Sequence, residues 1–205
     1  MIRYQDIHLE YSGKKLFSGF NLKVAENEKL LISGPSGSGK TTLLRILLGF
    51  ERVAAGRVFF GEFELTARNI RVIRNNIFYL SQDIDFRNDT IASLLEEIYS
   101  FEPNRNALRT PGHQGQFMQM LDLEDTILQQ SLSQLSGGEK QRIGLLVCFM
   151  LNRPVWLLDE PTASLDDRLR KKVVAYVMEA GQTVIVISHD ELWRKEKYLR
   201  VERWS

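Results

Sequence analysis

Eight residues, Gly34-Pro-Ser-Gly-Ser-Gly-Lys40-Thr41, constrain this chain more than any others, because they fit the pattern G-x-x-x-x-G-K-[ST] at every fixed position. They lie between an apolar strand pattern, Lys29 to Ser33, and an apolar helix pattern, Thr41 to Leu48. The glycines at Gly34, Gly37 and Gly39 let the backbone curl into a ring of amide donors. The helix that follows points its positive N-terminus into the same ring. Phosphate oxygens suit such a cradle. Lys40 supplies a point charge for the outer phosphates, and the Thr41 hydroxyl is placed to ligate Mg²⁺. The competing reading is a glycine-rich strand-to-helix turn with a chance lysine.

A chain of 205 residues is one domain, with room for an inserted subdomain. Its net charge of +1 argues against a large basic surface for nucleic acid or anionic lipid. The single cysteine, Cys148, excludes an internal disulfide and a cysteine-built zinc site. Its apolar neighbours, Leu145 to Leu151, read as core. No apolar run approaches the ~18 residues of a membrane span, and the N-terminus lacks a signal-peptide shape. A cytoplasmic location is expected, with any membrane role supplied by a partner.

The first part of the chain is β-rich. Strands are expected over Ile2 to Tyr11, Phe20 to Val24 and Arg57 to Leu65, with turns at Ala55-Gly56 and Gly61-Glu62. Ile77 to Leu80 reads as another strand. A helical texture then takes over from about residue 83 to 150. Ile91, Leu94, Leu95 and Ile98 fall at helical spacing in Thr90 to Tyr99, and Pro103 breaks that helix. Residues 109–115 read as a polar loop and Gln116 to Leu123 as a helix. Strand-helix alternation resumes with buried strands at Val155 to Leu158 and Thr183 to Ile187. Between them Asp166 to Ala180 is helical, with Gly181 placed as its stop.

Two further features carry chemistry. Asp159 and Glu160 end the Val155 to Leu158 strand, and open parallel sheets bind ligands at the carboxyl ends of strands. If that strand neighbours the one before the glycine loop, one carboxylate can hold Mg²⁺ and the other can polarise an attacking water. The bland alternative is a pair of loop-start carboxylates. Ser136 and Glu139 form an S-x-x-E capping box, with Gly137 and Gly138 leaving the helix amides uncovered. This is a second anion-binding helix terminus, which invites a two-chain site, although as a motif alone an ordinary capped helix is the better explanation.

The glycine loop, Gln82, Leu135 to Arg142, Val155 to Glu160, Ser164-Leu-Asp166 and His189 occur in this order. Together they resemble the nucleotide-binding domain of ATP-binding cassette (ABC) proteins, from Tyr11 to His189. The resemblance implies an α/β, P-loop NTPase fold of the ABC type: a mixed sheet core with an antiparallel β subdomain and an inserted α-helical subdomain. Residues 1–82 and 151–205 would form the core with its β subdomain, and about 83–150 the helical subdomain. It implies ATP and Mg²⁺ as cofactors. ATP would be held by Gly34, Pro35, Ser36, Gly37, Ser38, Gly39, Lys40, Thr41 and Thr42, with Tyr11 stacking on adenine. The metal would be organised by Thr41, Gln82 and Asp159. Glu160 resembles the general base, His189 the switch histidine and Gln82 the sensor of metal and water. Ser136, Gly137, Gly138 and Glu139 resemble the signature that reaches the opposing subunit's ATP, and Asp166 the residue that crosses the dimer interface. Glu139 stands where glutamine is usual and keeps the capping box. Ile127 to Ser133 lacks the acidic-glycine motif usual in large fused exporters, which favours a free-standing subunit.

The implied function is the ATPase subunit of an ABC transporter. Two copies, or this chain and a paralogous ATPase subunit, would dimerise around two ATP and drive a separate membrane-spanning permease. That would place the protein peripherally at the inner face of the cell membrane, with no direct nucleic acid contact. Phe86, Ile91 and Leu95 are candidates for the coupling contact, although a helical core explains Ile91 and Leu95 equally. The second function class is a non-transport ABC ATPase, an ATP-gated switch in a soluble complex. Single-cysteine composition and the lack of long coiled coils or a second cassette argue against the repair, chromosome-organising and translation relatives.

Overall fold

The computed structural model describes residues 1–11, 13–85, 90–105 and 113–204. Among them the strands form two sheets. β1 (Ile2–Tyr11), β2 (Lys14–Val24), β4 (Ala55–Phe60) and β5 (Phe63–Glu64) make an antiparallel sheet in the order β2-β1-β4-β5. β3 (Lys29–Ser33), β6 (Ile77–Leu80), β7 (Val155–Asp159), β8 (Thr183–Ile187) and β9 (Leu199–Arg203) make a parallel sheet in the order β6-β7-β8-β3-β9.

Every residue of β3, β7 and β8 is buried. That follows from their continuous apolar runs, which suit a parallel sheet covered on both faces. One cover is α1 (Lys40–Leu47), whose Leu43, Leu44, Ile46 and Leu47 pack with the inner face of the antiparallel sheet. The other is built from α3 (Ile91–Ser100), α5 (Gly137–Leu151) and α6 (Asp167–Glu179). The remaining helices are α2 (Ile70–Asn75), α4 (His113–Met120) and the short α7 (Glu191–Arg194). Between β6 and β7 every described element is helical, apart from an isolated bridge between Thr90 and Ser131. No helix among the described residues is long and apolar enough to cross a membrane.

Three local expectations need correction. Ala55 and Gly56 are not a turn but the start of β4. β1 bulges at Asp6, whose φ is 51°, so its buried positions change phase from Ile2 and Tyr4 to Ile7 and Leu9. Gly56 faces that bulge, and a Cβ there would lie 2.3 Å from the Asp6 carbonyl oxygen, so the glycine marks a close approach within the sheet. The second helix of the insert is α4, three residues earlier than Gln116 to Leu123. It stops because Asp122 takes φ 52° and the Leu123 N–H returns to the Met118 carbonyl at 2.8 Å, a left-handed stop built on aspartate rather than glycine. Finally, α6 does not end on a left-handed Gly181. The chain turns extended at Ala180, and Lys29 Nζ takes up the Ala180 carbonyl at 2.7 Å.

Phe86 and residues 109–112 lie outside the described residues. Ile91 and Leu95 are 0% and 4% exposed, so they are core and not a free coupling surface.

Candidate nucleotide-binding site

The carboxyl ends of β3, β8 and β7 build one cleft of about 790 Å³. β3 and β7 are not neighbours, as the sequence argument required, because β8 runs between them. The site assembles all the same. The loop after β3 bends back over the sheet, and Thr41, at the start of α1, donates to Asp159 Oδ2 at 2.6 Å. The intervening β8 delivers Ser188 and His189 to the space between loop and carboxylates.

The loop owes its shape to positive φ angles at Gly37 (75°) and Gly39 (94°), which L side chains avoid. Ser36, Gly37, Gly39, Lys40 and Thr42 line the cleft. Lys40 is 8% exposed, and its Nζ donates to the carbonyls of Gly34 at 2.8 Å and Pro35 at 2.7 Å, which pins the ammonium inside the ring. Gly34, Pro35 and Ser38 do not line the cleft, and the Ser38 hydroxyl is buried without a protein partner. These features fit a polyphosphate.

Asp159 is 1% exposed. Burial pushes its carboxyl above the ordinary carboxylate range; Glu160 and Asp83 push the same way, against the Thr41 hydrogen bond and Lys40. A divalent cation beside it would reverse that bias. Thr41 Oγ1, Asp159 and the nearby Gln82 amide offer hard oxygens, the donor type Mg²⁺ takes. Among the described residues no cluster of three or more His, Cys, Asp or Glu could hold a metal alone. Mg²⁺ that keeps waters and substrate phosphates as its other ligands needs none.

Glu160 adopts φ 50°, a left-handed conformation unusual for a side chain of its length. Its N–H donates to the Ile187 carbonyl at 2.8 Å, which ties the strained turn to the end of β8. Glu160 Oε2 accepts from Ser188 Oγ at 3.3 Å and from the His189 N–H at 3.4 Å. His189 Nε2 stands 3.8 Å from Glu160 Oε1. Behind them Thr162 donates to Asp190 Oδ2 at 3.1 Å and accepts from Trp193 Nε1 at 3.3 Å, so the segment after Glu160 is anchored to the loop after β8.

Tyr11 is 62% exposed at the rim of the cleft, so it is not a core tyrosine. Gln82 lines the same cleft. Ser136, Gly137, Gly138, Glu139 and Asp166 do not line it. Ser136 and Glu139 do form the expected capping box: Glu139 Oε2 accepts from the Ser136 N–H at 2.9 Å, and the Glu139 N–H donates back to Ser136 Oγ at 3.3 Å. The Ser136 hydroxyl and N–H hold the Glu139 carboxyl below its usual range. Asp166 caps α6, its Oδ1 accepting from the Leu169 N–H at 2.9 Å. Gly138 packs on the same chain's Ser164, whose carbonyl oxygen would lie 2.8 Å from a Cβ.

Sequence reasoning missed Leu16, Arg45 and Glu51 in the cleft wall. Arg45 was findable, since it lies four residues after Thr41 on the same helix face. Glu51 is held to it by an ion pair of 3.1 Å.

The sequence model of a known family, described as ABC transporter, matches residues 17–163. The chain belongs to the ABC transporter family. Within the family it is similar to the sulfate/thiosulfate import ATP-binding protein CysA of Xylella fastidiosa strain Temecula1, with 32% identity over 199 residues. It is also similar to the spermidine/putrescine import ATP-binding protein PotA of Spiroplasma citri, with 35% identity over 202 residues. Each match covers 93% of this chain but only 56% and 55% of those relatives, so the chain spans about half of their length. Among solved ABC structures, a dimeric ATP-binding cassette in a post-hydrolysis state with ADP and Pi superimposes with a TM-score of 0.76. It shares 26% identity, over 93% of this chain and 88% of that one.

Proposed function

We propose that this chain is an ATP-binding and ATP-hydrolysing subunit of an ABC transporter, with residues 1–82 and 151–205 as its core lobe and about 83–150 as its helical lobe. The observation that carries the reading is the convergence of Glu160, His189, Thr41 and Asp159 on the glycine loop in one cleft. The loop amides and Lys40 hold the phosphates, and Tyr11 stacks on the base. Thr41, Gln82 and Asp159 would hold Mg²⁺, which would supply charge neutralisation for the transferring phosphoryl group. Glu160 takes the proton of the attacking water, with its carboxylate oriented by Ser188 and the His189 backbone. His189, 3.8 Å from Glu160, contacts the γ-phosphate as well as the base.

The Ser136 terminus of α5 acts on the ATP of a second copy, or of a paralogous subunit, across a two-fold interface. A separate membrane-spanning permease receives the resulting motion, which places the protein at the inner face of the cell membrane. The relatives named for sulfate/thiosulfate and spermidine/putrescine import support a transport role.

The test is phosphate release by the parent protein and by Glu160→Gln, with Mg²⁺ and saturating ATP. The variant should bind ATP like the parent and turn over at least about 100-fold more slowly. Full turnover by the variant would show that Glu160 is not the base.

A further inference from the structure

Behind the phosphate loop stand two aromatic residues that the chemistry above does not use, Phe17 and Trp204. Trp204 follows β9, and its N–H donates to the Ser33 carbonyl at 2.8 Å, so strand pairing carries it alongside the first residue of the loop. A Cβ on Gly34 would lie 2.7 Å from the Trp204 carbonyl oxygen and 3.0 Å from Trp204 Cβ. At the other end of the loop, a Cβ on Gly39 would lie 3.2 Å from Phe17 Cζ. The two rings meet edge to face, with centroids 5.6 Å apart at 86°. Phe20 closes the triangle, 5.1 Å from Phe17 and 5.3 Å from Trp204. The cluster, drawn from β2 and the residue after β9, therefore reaches both ends of the loop: the Phe17 ring stands at Gly39, while at Gly34 it is the Trp204 carbonyl and Cβ, whose place the packed indole fixes. Neither Phe17 nor Trp204 lines the cleft.

We propose that Trp204 is a positioning residue for the phosphate loop: braced on Phe17 and Phe20, it holds Gly34 and Gly39 so that the loop amides converge before nucleotide arrives. The aromatic pairs make the arrangement directional, since edge-to-face rings fix angle as well as distance. A loop already in its binding geometry loses less freedom when phosphate binds. The gain is common to ADP and ATP, because both present the inner phosphates that the amides hold. The chemical step, run by Glu160 on the far side of the cleft, is not touched. The inference deepens the nucleotide-binding reading and rests on it.

The experiment titrates MgADP and MgATP into the parent, Trp204→Ala, Trp204→Leu and Trp204→Phe, and measures KM and kcat for ATP. Trp204→Ala should weaken both nucleotides about tenfold and raise KM in step, with kcat at saturation within about twofold. Trp204→Leu, which keeps apolar bulk without a ring, should move the same way and serves if the alanine variant does not fold. Trp204→Phe should restore parental affinity. A parent that binds neither nucleotide would sink the nucleotide-site reading itself. A parent that binds, with Trp204→Leu binding equally tightly or losing kcat instead of raising KM, would overturn the positioning role alone.

Discussion

At the scale of single residues, the site is held by groups whose environment differs sharply from water. Tyr4 shows the effect outside the cleft. It is 1% exposed, and its hydroxyl donates to the Leu43 carbonyl on α1 at 3.0 Å, a bond that locks the helix behind the phosphate loop to β1. Burial pushes its phenol far above the usual value. The folded state therefore holds the proton more tightly than the unfolded state. That contribution is complete below the unfolded pKa of about 10 and is lost as pH climbs past it. Tyr4→Phe should cost about 1 kcal/mol at neutral pH. The variant should also lose less stability than the parent between pH 9 and 11, both as approximate bounds set by the free phenol. Urea denaturation at the two ends of that window checks this, and equal alkaline losses would refute it. Glu160 is the opposite kind of residue: its left-handed φ costs stability at a position that lines the cleft, where the proposed mechanism places the general base.

Among the elements, Asp122 is the joint between the helical region and the core. It ends α4 in a left-handed conformation, and its carboxylate meets Arg168 at 2.6 Å and Lys172 at 3.0 Å on α6. Its carbonyl accepts from Arg142 on α5 at 2.7 Å. Ion pairs this exposed are worth under about 1 kcal/mol each, and alanine would add left-handed strain of similar size. Asp122→Ala should therefore lose about 1–2 kcal/mol, read by chemical denaturation, and the gap should narrow at high salt. A salt-independent gap would assign the loss to backbone strain alone. This joint was not legible in the sequence, because nothing distinguishes an aspartate at a helix stop from one at the surface. Where the signal is an uninterrupted apolar run, as in β3, β6, β7 and β8, strand positions could be read within a residue. Gly56 misled because a glycine that serves a close approach looks, in sequence, like one that serves a turn. In the cleft, motif residues were legible through spacing, while Arg45, Glu51 and the Phe17–Trp204 brace arise from packing between distant segments.

On the scale of the whole molecule, the cleft and the α5 terminus are separate surfaces of one chain. The loop, Glu160 and His189 converge, but Ser136 caps its helix away from them. A complete site, as proposed, requires two chains. Ser136→Arg should keep nucleotide binding in the cleft and abolish hydrolysis, since the long cation would meet the partner's ATP. Loss of the cap should cost about 1 kcal/mol, so circular dichroism must first show an intact fold. Unchanged hydrolysis would remove the two-chain argument. The most direct measurement is the mass of Glu160→Gln protein by static light scattering, with Mg²⁺, with and without ATP. A two-chain site predicts the 23.7 kDa chain without nucleotide and roughly twice that mass with ATP. An unchanged mass with ATP demonstrably bound would contradict it.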